Sequence, residues 1–137
     1  MSNNDYLFVY GTLLSDYDDK ISHEYLARFA ELVGKATMQG KMYMVDYYPG
    51  VVCCDEKSVV KGELYRIVDE EKLFSFLDKY EEYLANDESH SEYLRRQSKV
   101  TLKSTGEVFE AWIYLYNQPT DDLELLPKGD FLNEYHK

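Results

Sequence analysis

What this chain has least of is positive charge. Fifteen lysines and arginines stand against 26 aspartates and glutamates, a formal net charge of −11 over 137 residues. So acidic a surface has no electrostatic footprint for phosphate backbones or anionic membranes, which argues against nucleic acid and membrane as partners. Long apolar runs are missing too: none approaches the roughly 20 residues needed to span a bilayer. The opening stretch MSNNDYLF lacks the basic and apolar regions of a signal peptide, so the expected location is cytoplasmic. Cysteine is scarce. Cys53 and Cys54 are adjacent, where a disulfide would be strained, and after Val51 and Val52 they read as a reduced, partly buried strand. His23, His90 and His136 are too scattered to complete a zinc site, so no metal is expected. Repeats, low-complexity tracts and Pro/Gly/Ser linkers are also absent, which leaves residues 1–137 as one domain.

What is present is a sizeable core. Apolar residues make up 45% of the chain, too many for a disordered polymer. Residues 6–10 read as a buried strand. SHEYLARFAELVG (22–34) reads as a helix, with Ser22 as N-cap, a stripe of Tyr25, Leu26, Phe29, Leu32 and Val33, and Gly34 as its stop. KMYMV (41–45) has β character and ends at the turn YYPG. VVKGELYRIV (59–68) alternates as a strand, and Gly62 marks a bulge or a close backbone approach. Asp69 caps a second helix, whose stripe is Leu73, Phe76, Leu77, Tyr80 and Leu84. Residues 92–102 and 107–116 read as two strands joined by the turn KSTGE. In the second of these, Ala111, Ile113 and Leu115 face one side while Trp112, Tyr114 and Tyr116 face the other, as in a central strand covered on both sides. The tail from Pro119 to Lys137 reads as irregular. Strands with two inserted helices predict an α+β fold, a mixed sheet curled into a small barrel.

Two features carry chemistry. On a helical wheel centred on Leu73, Glu82 falls in solvent, whereas Glu81 lands about 80° from the stripe's centre, near Phe74. A carboxylate at that boundary is partly desolvated, which raises its pKa toward the range useful for proton transfer. It equally suits a structural ion pair with Arg95 or Arg96. The second feature is Tyr10-Gly11-Thr12-Leu13. Gly11 can turn its N–H toward a pocket, and successive N–H groups of Gly11, Thr12 and Leu13 can form a nest for an anion or an oxyanion. A plain strand-to-loop turn fits the same four residues.

Seven stretches in order extend this pattern across nearly the whole chain: VYGTL (9–13), GKMYMVDYYPGVV (40–52), VVKGELYRI (59–67), LDKYEEY (77–83), YLRR (93–96), AWIYLY (111–116) and KGDF (128–131). Together they resemble the γ-glutamylcyclotransferase-like family, which includes γ-glutamylamine cyclotransferase and the AIG2-like proteins. The resemblance implies an enzyme that needs neither metal nor cofactor. Its substrate would be a small γ-glutamyl amide whose own α-amino group attacks its γ-carbonyl, releasing an amine or amino acid and closing 5-oxoproline. Glu81 would be the general acid and base. The segment Gly11, Thr12 and Leu13 would hold the substrate's anionic end, with Tyr10 shaping the wall. Arg95, Arg96, Tyr114 and Tyr116 stay outside the catalytic set.

The chain departs from the family pattern at several points. Glu82 stands where Gly is frequent, Phe131 where Trp is common, and LLSDYDDKIS (13–22) where a glycine-rich stretch is often found. These departures leave the catalytic carboxylate in place and the leaving amine open. Two alternatives stand beside the small-molecule enzyme: a non-catalytic pocket protein of the same fold that binds a small acidic metabolite, and a cyclotransferase acting on a larger γ-glutamyl-acylated intermediate. Oligomeric state is open.

Overall fold

The computed structural model describes residues 5–10, 20–45, 49–52, 58–80, 87–126 and 129–130. The expectations at Gly11, Thr12, Leu13, Cys53, Cys54, Glu81, Phe131 and His136 lie outside the described residues. The elements run β1 (Tyr6–Val9), α1 (Lys20–Phe29), β2 (Ala30–Gln39), β3 (Lys41–Met44), β4 (Pro49–Val52), β5 (Val59–Ile67), α2 (Glu70–Tyr80), a 3-10 turn (Glu88–His90), β6 (Tyr93–Leu102), β7 (Val108–Tyr116) and β8 (Glu124–Leu126).

The alternating strands close on one another. β5 pairs antiparallel with β1 (Phe8↔Leu64) and with β2 (Ala36↔Gly62). β2 pairs with β6 (Ala36↔Leu102), and β6 with β7 from Tyr93↔Tyr116 to Thr101↔Val108. β7 then meets β1 in parallel at Leu7↔Trp112, closing a barrel in the order β1-β5-β2-β6-β7. Closure leaves these five strands without an unpaired edge. Ladder partners share a face of the sheet, so Phe8, Leu64, Ala36, Leu102, Ala111 and Ile113 line the inside, and all are buried. The fold is therefore the α+β arrangement expected, a mixed sheet curled into a small barrel with two helices.

Gly62 is a site of close approach rather than a bulge. A Cβ there would collide with the Val9 carbonyl oxygen and come within 2.7 Å of the Phe8 ring. Side chains larger than hydrogen would push β1 away from β5 at the end of β1 that leads to Gly11.

Two expectations need correction. The helix predicted over 22–34 instead runs from Lys20 to Phe29, and residues 30–39 form β2. Ser22 lies inside the helix rather than at its cap. Leu32 and Val33 are 52% and 40% exposed, so they do not continue a buried stripe. Pairing along the whole of β5, from Ala30↔Ile67 to Gln39↔Val59, satisfies the backbone and overrides the local helical period. Gly34 sits where the ladder shifts register after Leu32, not at a helix stop. The second correction is the tail: Glu124–Leu126 forms β8, which pairs with β3 at Met42↔Leu126.

β4, β3 and β8 make a three-stranded sheet outside the barrel. Directed bonds hold it there. The Tyr93 hydroxyl donates to the Pro49 carbonyl at 2.8 Å, and the Lys61 N–H donates to the Gly129 carbonyl at 2.7 Å. Gly129 has φ of 60°, and a side chain there would collide with the Val59 carbonyl. Only glycine lets the chain pass so close.

α2 starts as predicted. The Lys72 N–H donates to Asp69 Oδ1 at 3.2 Å, an N-cap bond. Leu73 and Leu77 are fully buried and Phe76 is half-buried, as the stripe requires. Phe74 is buried as well, which widens the apolar face onto the flank where the wheel puts Glu81.

Candidate functional site

Of the expected site residues, Tyr10 is the one described. It directly follows β1, its side chain is buried, and its hydroxyl donates to the main-chain carbonyl of Tyr114 on β7 at 2.7 Å. The phenol is a strut from the end of β1 to the neighbouring strand. Gly11, Thr12 and Leu13 come next in the chain.

Tyr114 is also reached from the other side. Its hydroxyl donates to Asp78 Oδ1 on α2 at 2.5 Å. The second carboxylate oxygen, Oδ2, lies 3.7 Å from Arg95 Nη1. Arg95 is the ladder partner of Tyr114, so both project from the same outer face of the barrel. The Arg95 guanidinium lies over the Phe74 ring at 4.1 Å and over Trp112 at 5.5 Å, while these two rings meet edge to face at 5.8 Å. A cation over ring faces is attracted by their quadrupoles, and the rings remove water from its neighbourhood. Arg95 and Asp78 are each about three-quarters buried, so their attraction is less screened than that of a surface pair. A hydroxyl bond to a charged carboxylate contributes about 1.5–3 kcal/mol.

The expected structural role of Arg95, pairing with a carboxylate, is met here by Asp78. Arg96 donates from Nη1 to the Arg95 carbonyl at 3.0 Å. Asp78 and Tyr114 are the residues that sequence reasoning left out. Asp78 follows Phe74 by four, so both share a helix face, and an Asp on the buried flank of an amphipathic helix was the available signal. Tyr114 gave a weaker one, since a strand aromatic is usually core.

Other ionisable groups sit apart from this network. Glu63 is buried on the outer face of β5, where the Tyr65 hydroxyl donates to it at 3.3 Å and the Lys35 ammonium approaches to 3.8 Å. Burial, and then the charge of Glu92, pushes the Tyr116 phenol above its ordinary pKa, so it stays neutral. Among the described residues no three His, Cys, Asp or Glu side chains cluster as metal ligands, and no helix is long and apolar enough to cross a membrane.

The arrangement joins two stretches remote in sequence. The end of β1 and the last turns of α2 both bond to Tyr114, one to its main chain and one to its side chain. Gly11 follows the first anchor directly, and Glu81 follows α2 directly.

Comparison with known proteins gives a consistent result. The family model described as "Gamma-glutamyl cyclotransferase, AIG2-like" matches residues 7–133. The γ-glutamylcyclotransferase family protein YtfP of Escherichia coli K12 is 30% identical over 128 residues, covering 93% of this chain and 96% of that protein. The solution structure of YtfP superposes with a TM-score of 0.63 at 27% identity, covering 93% of this chain and 96% of YtfP. The crystal structure of an AIG2-like protein from Mus musculus aligns with a TM-score of 0.67 at 20% identity, over 86% of this chain and 81% of that one, and shares the fold. So does YkqA from Bacillus subtilis, with a TM-score of 0.69 at 24% identity; there 98% of this chain spans 43% of the larger protein.

Proposed function

This chain belongs to the γ-glutamyl cyclotransferase, AIG2-like family, and on that premise we propose that it converts a small γ-glutamyl amide into 5-oxoproline and a free amine or amino acid. The substrate's α-amino nitrogen attacks its own γ-carbonyl carbon. A ring C–N bond forms, and the C–N bond to the departing amine breaks. Glu81 takes the proton lost by the attacking nitrogen and delivers one to the leaving nitrogen, so the carboxylate is regenerated each cycle. Because nucleophile and electrophile belong to one molecule, the protein's main task is to hold the substrate folded. The main-chain N–H groups of Gly11, Thr12 and Leu13 bind its anionic end or the oxygen that gains charge, and Tyr10 orients that segment. The reaction uses no metal and no cofactor.

One observation carries this reading. Tyr10, next to the Gly-Thr-Leu stretch, and Asp78, three positions before Glu81, are fastened to the same residue of β7. In sequence, Phe74, Asp78 and Glu81 follow the i, i+4, i+7 series of one helix face, and the first two members face β7. The acidic composition argues against nucleic acid or an anionic membrane as partner, and on this reading the enzyme acts on small molecules in the cytoplasm as one domain over residues 1–137.

The test is a panel of γ-glutamyl amino acids and γ-glutamylamines, with 5-oxoproline followed by mass spectrometry. The wild-type protein releases 5-oxoproline from at least one of them. Glu81→Gln lowers the rate about 10²–10⁴-fold, the usual contribution of a general acid/base, with the fold retained. Undiminished turnover by that variant removes Glu81 from the mechanism. Binding without product identifies a pocket protein instead, and turnover restricted to a larger γ-glutamyl-acylated substrate redirects the substrate class.

A further inference from the structure

We infer that Tyr114 is a positioning residue for this cyclisation, fastening Tyr10 at the end of β1 and the last turn of α2 to one point of β7. The inference rests on the reading above, and it assigns a task to a residue whose sequence pattern marks it only as core. Three observations carry it. The Tyr114 side chain is almost wholly buried, yet its hydroxyl makes a short 2.5 Å bond to Asp78 in the last two turns of α2. Its own carbonyl accepts the Tyr10 hydroxyl at 2.7 Å, so the two bonds share one residue and its strand supplies the spacer. Arg95, lying over Phe74 and Trp112, brings its guanidinium 3.7 Å from Asp78 Oδ2, so both carboxylate oxygens of Asp78 are engaged.

Apolar burial of Leu73 and Leu77 keeps α2 on the barrel but tolerates small sliding and rotation, because it has no direction. A linear hydroxyl–carboxylate bond does not tolerate them. Asp78 stands two residues before the end of α2, so the bond fixes the last turn of the helix. Misplacing a catalytic group by about 1 Å costs up to about 10²-fold in rate.

The experiment compares wild type, Tyr114→Phe, Asp78→Asn and the double variant on the best substrate of the panel. Folding is checked by circular dichroism at the assay temperature. Tyr114→Phe is expected to lose about 10- to 100-fold in kcat with KM within about twofold. The shape of its pH–rate profile should be unchanged, since Tyr114 moves no proton in the reaction. Hydroxyl and carboxylate act as one unit, so the double variant is no slower than the slower single variant. Absence of 5-oxoproline from every substrate with the wild-type protein removes the proposed function and this inference with it. An active wild type with wild-type kcat in folded Tyr114→Phe overturns the inference alone. So does a rate loss no greater than the unfolded fraction, multiplying losses in the double variant, or loss of one limb of the pH profile, which would make Tyr114 an acid or base. If Tyr114→Phe does not fold, Asp78→Asn alone decides by the same kcat, KM and pH criteria.

Discussion

The inside of the barrel and the outer flank of β7 beneath α2 are both well buried, but different forces hold them. Inside, Phe8, Leu64, Ala36, Leu102, Ala111 and Ile113 pack by shape alone. On the flank, Tyr114, Asp78 and Arg95 are joined by bonds with preferred lengths and angles beside Phe74 and Trp112, and Tyr10 bonds to the main chain of the same Tyr114. Packing of the first kind supplies stability and is indifferent to small shifts. Bonding of the second kind adds modest stability but defines where main chain and helix sit. The barrel therefore supplies most of the stability, while the flank defines how the end of β1 and α2 sit against β7.

Substitutions on the two sides should separate these effects. The largest change in stability is expected inside. Ile113 is fully buried, and Ile113→Ala should cost about 2–5 kcal/mol, read as a lower urea midpoint with an unchanged slope. Its folded fraction should turn over substrate at nearly the wild-type rate; a specific rate loss matching that of Tyr114→Phe would erase the distinction. Tyr10→Phe keeps the ring and removes the strut. It should cost about 0.5–1.5 kcal/mol of stability, with a proportionally greater loss of turnover. A stability loss as large as that of Ile113→Ala would place Tyr10 with the core instead.

The smallest effect lies at the opposite end of α2. Glu70 faces Asp5, and their shared hydrogen bond, then desolvation and the Asp5 charge, raise the Glu70 pKa above its ordinary value. A carboxyl group whose pKa is raised in the folded state binds its proton more tightly there than in the unfolded chain. Its contribution is present at low pH and is lost as pH rises through and just above the normal carboxylate range. Glu70→Gln should flatten that slope slightly in thermal melts and leave turnover unchanged at every pH. A changed pH–rate profile would show that the N-terminal end of α2 communicates with its C-terminal end.

The strands at 41–44, 59–67, 93–102 and 108–116 and the capped start of α2 were legible because their own residues alternate, or repeat every three to four positions, and their ends carry turn or capping residues. β2 was not, because AELVG continues the helical spacing of α1; only β5, about thirty residues later, makes a strand there the better solution. β8 was missed because three residues are too few to show a period. At the site, Tyr10 could be singled out from the glycine that follows it. The part played by Asp78 and Tyr114 could not, since each fits an ordinary local role and their significance is the contact between them, 36 positions apart.

The sequence alone determined the class of fold, the absence of a basic surface and the ordered motifs that mark the family, since composition and short-range periodicity reside in neighbouring residues. The tertiary structure decided that the strand sheet closes on itself, that residues 30–39 extend rather than coil, and that Tyr114 fastens β1 to α2. Those outcomes depend on pairings between distant segments, whose free energy exists only once the chain has brought them together.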